Sequence, residues 1–221
     1  MKRLNLFIYT AKIAVSVLFI ACFHASAQRN ESVSTWNFGS IKAVDANAVN
    51  GDITLSSNSG SETTIEIFVS GNSPQIRSRK WSDEEIKQEL EKSFTIDVKV
   101  EGEKLLVTAK PKTDRSQFSI SFKITAPKSI NSSIRTINGS ISLNNLSGTQ
   151  NFQTINGSLK VNNVSGEITG RTENGSINAK NANGKITLTT VNGNINIRNI
   201  NGIISTSTVN GRMRERNVNR E

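Results

Sequence analysis

A thiol and an imidazole each occur once in the 221 residues, at Cys22 and His24. Both lie in a stretch with the order of a removable export leader, so the remaining chain carries neither group. Ser-His-Asp and Cys-His catalysis, thiolate or imidazole zinc sites, thioredoxin-type exchange and disulfide scaffolding all need one of them. Carboxylates are what is left for acid–base work. Over residues 129–221 they are Glu167, Glu173, Glu215 and Glu221. β-Helical polysaccharide-cleaving enzymes act through clustered carboxylates, often with a metal or a base. Glu167 and Glu173 are too isolated in the sequence to form an acid/base pair. The reading is therefore not an enzyme: no catalytic residue, no metal ligand, no cofactor-binding residue and no cofactor.

Residues 1–27 hold the three parts of a secretory signal. Lys2, Arg3 and Lys12 are the basic start, Ile13 to Phe23 the apolar run, and Ala25-Ser26-Ala27 the small-residue site. Cleavage is expected after Ala27, leaving Gln28 first. The apolar run falls short of the about 20 residues that span a bilayer, and no second one follows, so no transmembrane segment is expected in the mature chain. A rival reading lipidates Cys22, since Ile20-Ala21-Cys22 is part of a lipobox; Phe19 and the Ala-x-Ala site that follows disfavour it. Without the leader, 24 Lys and Arg stand against 18 Asp and Glu. That mild excess suits a soluble basic surface or an anionic partner. No nucleic-acid partner is expected, because no aromatic residues interleave with the cations as base-stacking platforms.

The elements that would position such residues announce themselves as a repeat. Asn-Gly pairs begin at Asn138, Asn156, Asn174, Asn192 and Asn210, with Ser147-Gly148, Ser165-Gly166, Asn183-Gly184 and Asn201-Gly202 midway between them. Each nine-residue half reads Asn/Ser-Gly-x-apolar-x-apolar-x-polar-apolar, as in Asn192 to Ile200. Two-residue Asn-Gly turns would give an antiparallel meander; stacked 18-residue coils would give a β-solenoid. The polar eighth slot decides between them. It holds Thr136, Thr154, Thr172, Thr190 and Thr208 in one half and Asn145, Asn163, Asn181, Asn199 and Asn217 in the other. Strict alternation at 18 makes sense only if residues 18 apart stack about 4.8 Å apart, where like side chains can hydrogen-bond as ladders.

Parity agrees. Slots four and six share one strand face and slot nine the opposite one, so a corner between six and nine is expected in both halves. It would turn Ile137, Leu146, Ile155, Val164, Val191, Ile200 and Val209 inward, with glycine at slot two relieving the next corner in positive φ. The inward columns then run Ile134, Phe152, Gly170, Leu188, Thr206 and Leu143, Val161, Ala179, Ile197, Glu215. Phe152 over Gly170 is a large-over-small fit. Outward slots include Ser142, Asn144, Lys160, Asn178, Lys180, Thr187, Asn196 and Arg198. Glu173 occupies a slot otherwise Ile or Val and is expected to reach water where its corner opens, the alternative being a ligand-directed carboxylate. Arg212-Met213-Arg214-Glu215-Arg216 reads as a charged rung closing the open edge, or alternatively as a patch for an anionic partner. Calcium rungs are excluded: they need Asp at slot six and Gly at slot four, where these repeats carry aliphatic residues.

Residues 28–37 read as a flexible lead-in. Val49-Asn50-Gly51-Asp52-Ile53-Thr54-Leu55 already follows the nonapeptide, with Ser59-Gly60 nine later, so the solenoid can begin here. Alternating segments predict strands near 64–69, 94–101, 104–109 and 118–125. A helix near 82–92 is predicted from Ser82 and Glu85 as a capping box and Trp81 and Ile86 as a staple, with Ile86, Leu90 and Phe94 on one face.

The chain resembles the putative-adhesin family of exported, Bacteroidetes-like bacterial proteins, relatives of the head-GIN adhesin domains. Thr-Ile-Asn-Gly-Ser-Ile at 136–141, Thr-Val-Asn-Gly-Asn-Ile at 190–195 and Ile-Thr-Ala-Pro-Lys at 124–128 carry the resemblance, over 124–211 and more loosely from residue 40. It implies a β-helical fold and a cell-envelope location, with no catalytic motif to carry over. The expectation is an all-β, single-chain parallel β-solenoid, right-handed by resemblance and by the usual hand of β crossovers, with one short helix inserted. The domain plan is a signal peptide at 1–27, an N-terminal β part at 28–128 and a regular repeat at 129–221, continuous over 38–221. The function expected is a non-enzymatic envelope or surface adhesin or scaffold, in the periplasm, on the outer membrane or outside the cell. The alternative is a glycan-binding or other ligand-binding module, or an accessory factor of an envelope pathway. Partners stay open, with envelope glycans and surface proteins as candidates; binding residues and oligomeric state are left unassigned.

Overall fold

A computed structural model describes residues 34–72, 82–113 and 116–221. The leader, its cleavage site, Cys22 and Trp81 lie outside the described residues. Among those described, the chain winds into a β-solenoid with about five turns of roughly 18 residues, each coil giving one strand segment to each of two faces.

The first face stacks β6 (Lys104–Pro111), β2 (Ala43–Ala48), β8 (Asn131–Arg135), β10 (Ser147–Thr154) and the later halves of β11 (Leu159–Thr172), β12 (Ile177–Asn192) and β13 (Ile195–Asn210). The second face stacks β7 (Phe118–Pro127), β3 (Ile53–Asn58), β9 (Ile141–Asn144), the earlier halves of β11 to β13, and β14 (Met213–Arg220). Every pairing in both stacks is parallel, and in the repeat the partners are 18 apart: Ile177 beside Ile195, Thr172 beside Thr190. Neighbouring half-repeats therefore do not fold back on each other as hairpins.

Slots four and six fill the interior, as their parity requires. Ile141, Leu143, Leu159, Ile177, Leu188 and Ile195 are fully buried. Both columns read from sequence are in register, with Phe152 between Ile134 and Gly170. Two polar residues share this interior where the repeat has aliphatics. Gln150 is buried and satisfied by its neighbours: Ser132 Oγ donates to its Oε1 at 2.6 Å, and its Nε2 donates to the Ile130 carbonyl at 2.7 Å.

The corners differ from expectation in one half of each coil. Where slot eight is Asn, the chain turns: Asn145, Asn163, Asn181, Asn199 and Asn217 all sit at φ 54–58°, and Leu146, Val164 and Ile200 swing inward and are buried. Asn tolerates this left-handed conformation better than other residues with a side chain, which is why the slot never varies. Where slot eight is Thr, the strand runs straight instead. Thr136, Thr154, Thr172 and Thr190 are buried, while Ile137 is 40% and Val209 71% exposed and Ile155, Glu173 and Val191 are half-buried. The expected inward turn of Ile137, Ile155, Val191 and Val209 is thus corrected. A buried hydroxyl needs a partner, and each Thr finds one in the carbonyl of a glycine in the coil below. Thr172 Oγ1 donates to Gly157 at 2.8 Å and Thr190 Oγ1 to Gly175 at 2.9 Å, fifteen residues earlier, and Thr136 Oγ1 to Gly51 at 3.0 Å, 85 residues earlier.

The ladders follow the same division. Thr does not bond to Thr. Asn does: Asn163 Nδ2 donates to Asn145 Oδ1 at 2.8 Å, and Asn217 Nδ2 to Asn199 Oδ1 at 2.9 Å. A longer ladder that the eighth-slot argument missed runs through the Asn-Gly pairs, from Asn210 through Asn192, Asn174, Asn156 and Asn138 to Asn50, each Nδ2 donating to the Oδ1 below at 2.7–2.9 Å. The glycines also split into two kinds. Gly148, Gly166, Gly184 and Gly202 take positive φ, as expected. Gly157 and Gly175 do not; a Cβ on either would stand 1.9 Å from the glycine carbonyl oxygen one coil below, so close stacking, not dihedral freedom, demands them.

The N-terminal part enters the stack out of chain order. β2 and β3 form a coil wedged between the coil of β6 and β7 and the coil of β8 and β9. Gly51 N donates to the Asn138 carbonyl at 3.0 Å, so the early Asn-Gly pair sits beneath a repeat 88 residues away. Ser59-Gly60 does not open a further coil: the chain reverses there into β4 (Glu62–Gly71), antiparallel to β7. β1 (Ser34–Ser40) pairs antiparallel with β4, correcting the flexible lead-in over its described part, and β5 (Phe94–Glu101) pairs antiparallel with β6. These antiparallel strands cover the edge that the parallel stack would otherwise leave open at this end. Helix α1 (Asp83–Ser93) has the capping box: Glu85 N–H donates to Ser82 Oγ at 3.2 Å and Ser82 N–H to Glu85 Oε2 at 2.9 Å. Leu90 and Phe94 are buried beneath it; the Trp81–Ile86 staple lies outside the described side chains.

Candidate functional site

Two outward surfaces are available, and they differ in chemistry. Straight strands put slots five and seven outward on each face. On the first face these are mostly hydroxyls and amides, such as Asn151, Gln153, Thr169, Thr187, Thr189 and Ser205, with Arg135 and Arg171 as isolated cations. On the second face the slots stack as Ser142, Lys160, Asn178, Asn196, Arg214 in one column and Asn144, Asn162, Lys180, Arg198, Arg216 in the other. Together with Thr54 they line a shallow groove of about 950 Å³ that runs along the stacking direction.

The groove's charge is one-sided. Lys160, Lys180, Arg198, Arg214 and Arg216 lie in it, spread over four successive rungs, and among the described residues none of them has an ion pair. Several cations elsewhere are paired: Lys104 with Asp45 at 3.0 Å, Lys123 with Glu66 at 2.7 Å, Lys185 with Glu167 at 2.9 Å. The hydrogen bond from Lys185 and the charge of Glu167 raise the lysine above its ordinary pKa. The amides are held in place: Asn196 Nδ2 donates to Asn178 Oδ1 at 3.0 Å.

The one carboxylate lining the groove is already engaged. Glu215 is in register with Ile197 of the inward column, and its Oε1 accepts from Arg220 Nη2 at 2.6 Å. That hydrogen bond holds its carboxyl below the ordinary glutamate pKa, against a smaller opposing effect of burial. The charged last rung thus divides its labour. Glu215 and Arg220 pair where the aliphatic column ends, while Arg214 and Arg216 extend the outward cationic columns.

The carboxylates weighed from sequence do not assemble. Glu167 lies on the first face and is taken by Lys185. Glu173 lies in the outward column between Ile155 and Val191, half-buried, and its backbone carbonyl accepts from Asn192 N at 2.7 Å. No group of three or more His, Cys, Asp or Glu able to hold a metal occurs among the described residues. What sequence reading missed is the alignment of Arg214 and Arg216 with Lys160, Lys180 and Arg198. The signal was available as arithmetic, because 160 and 214 differ by three repeats, as do 162 and 216.

Comparison with solved structures finds adhesin-named proteins. One is a putative adhesin from Bacteroides fragilis, 13% identical over 85% of this chain and 96% of that one, at a TM-score of 0.32. Another is a putative cell adhesion protein from Clostridium sporogenes, 10% identical over 85% of this chain and 99% of that one, at 0.29. A third, from Parabacteroides distasonis, is named a putative lipid binding protein, 9% identical over 85% and 96%, at 0.24. No family model and no curated protein matches the chain. The adhesin name is the one the Asn-Gly repeats resemble. Among the described residues no helix is long and apolar enough to cross a membrane.

Proposed function

We propose that the protein is a non-enzymatic, exported component of the bacterial envelope, serving as an adhesin or scaffold through the repetitive polar outer faces of its solenoid. The observation that carries this reading is the recurrence of the same polar side chains at one fixed spacing along a stiff, hydrogen-bonded stack. Weak contacts repeated along such a face gain avidity without a single strong site. Export rests on the leader at 1–27, with cleavage after Ala27.

The test is protease treatment of intact cells together with adherence of cells lacking the gene. Degradation of the mature protein from outside and reduced adherence support the reading; a protein untouched by protease in cells that adhere normally would refute it. A second reading, a ligand-binding module facing the periplasm or the surface, is favoured by the unpaired cations of the groove. It predicts a saturable soluble ligand and no change in adherence.

A further inference from the structure

We infer that the groove on the second face binds a linear polyanionic glycan, carboxylated along its length, with its chain parallel to the solenoid axis. This deepens the envelope reading and rests on it for the compartment in which such a polymer is met.

Spacing makes the first argument. The rungs lie about 4.8 Å apart, comparable with the length of one pyranose unit in an extended chain. Cations recur on four consecutive rungs: Lys160, then Lys180, then Arg198, then Arg214 with Arg216. A run of about 14 Å of positive charge at that spacing matches a polymer with one carboxylate per unit, rather than a single phosphate or sulfate. The second argument is chemical type. Three of the five cations are Arg, whose fork takes a carboxylate through two parallel hydrogen bonds. On the same rungs Asn162, Asn178 and Asn196 offer carboxamides, which both donate and accept and so suit sugar hydroxyls. The third is that the cations are uncommitted, while Glu215, the carboxylate that would repel such a ligand, is neutralised by Arg220.

Nucleic acid fits less well. No aromatic side chain lines the groove, so bases would have no stacking surface. A lipid surface fits less well too, because the groove is concave and the apolar residues along its floor, Val161, Ala179 and Ile197, are buried in the solenoid interior instead of projecting outward.

The experiment is calorimetric titration of the full chain with a linear oligouronate, a neutral oligosaccharide of equal length, and single- and double-stranded DNA, at two salt concentrations. Two variants of equal charge change are compared: Lys180→Gln/Arg198→Gln/Arg214→Gln/Arg216→Gln in the groove and Lys110→Gln/Lys128→Gln/Arg135→Gln/Arg171→Gln elsewhere. Circular dichroism and melting verify that both stay folded, and Arg198→Lys/Arg214→Lys/Arg216→Lys keeps the charge should the groove variant unfold. Saturable uronate binding that weakens with salt, falls about tenfold or more in the groove variant and much less in the other, supports the inference. The lysine variant should bind at reduced affinity, its charge kept but its forks lost. Equal loss in both glutamine variants would mean net charge alone. DNA binding tighter than uronate and lost with the groove would assign the other polymer. No uronate binding would overturn the ligand while leaving the protease and adherence result intact.

Discussion

The edge of the Phe152 ring fills the space that a side chain on Gly170 would occupy in the next coil: a Cβ there would stand 2.7 Å from Phe152 Cζ and 2.9 Å from Leu188 Cδ2. Phe152 is buried, so the ring has no free direction in which to retreat. Gly170→Ala should therefore overpack the column and cost about 1–3 kcal/mol. Phe152→Ala leaves a cavity and should cost about 3–5 kcal/mol. In Phe152→Ala/Gly170→Ala the new methyl has room, so the double variant should lose less than the sum, by about 0.5–3 kcal/mol. Urea denaturation of the three variants measures this; strict additivity would show that ring and glycine do not share one space.

The corner asparagines carry two duties that substitution can separate. Asn199 sits at φ 54°, donates to Asn181 and accepts from Asn217. Gly, Ala and Val at this position all lose the ladder, but only Ala and Val strain the backbone, by about 1–2 kcal/mol for Ala. Val, branched at Cβ, should suffer most. Asn199→Gly should accordingly be the mildest and Asn199→Val the most damaging, read as midpoints of chemical denaturation. Equal losses in all three would place the importance of the column in its side-chain bonds, and a reversed order would contradict the strain argument.

These two cases show what the sequence made legible. Parallel stacking followed from the 18-residue alternation at slot eight, and Phe152 over Gly170 followed from counting columns. Slot nine was harder. Parity alone states that it opposes slots four and six; it does not state which half-repeat bends, and that was decided by a buried hydroxyl reaching a glycine carbonyl in the coil below. The wedge of β2 and β3 between later strands was legible only in the likeness of Asn50-Gly51 to the Asn-Gly pairs, since pairing 88 residues away leaves no local periodicity. The cationic groove needed the outward columns to be counted as carefully as the inward ones.

Glycine and threonine at one corner are two halves of a single contact, which predicts a graded series. A Cβ on Gly175 would lie 1.9 Å from the Gly157 carbonyl oxygen, and backbone cannot yield as a side-chain tip can. Gly175→Ala should be more destabilising than Gly170→Ala, because its coil must part from the one below. Thr190→Val removes only the hydroxyl that donates to Gly175 O and should cost about 1–2 kcal/mol. Thr190→Ser, which keeps the donor, should cost less than Thr190→Val. Thermal melts under one buffer rank the four variants; a Gly175→Ala protein as stable as Gly170→Ala would contradict the close stacking.

Acid should loosen the C-terminal coil first. Glu215 is held below its ordinary pKa by the hydrogen bond from Arg220, so the folded coil binds a proton there more weakly than the unfolded chain does. Stability linked to such a group is present above the unfolded value of about 4.3 and is lost as pH falls through the lower folded value. The last rung has a neighbour on one side only, and Met213 and Val209 are already exposed there. Its opening is therefore expected before that of the inner coils. Hydrogen exchange at pH 3 and pH 7, expressed as protection relative to the intrinsic rate at each pH, should show lower protection in acid over residues 213–220, with little change in protection over 159–190. Glu215→Gln removes the titrating group, so the acid-to-neutral difference in protection should shrink, with protection at neutral pH falling toward its acid value. An unchanged acid-to-neutral difference in Glu215→Gln would assign the acid response to other carboxylates and remove the pair's role at the end of the stack.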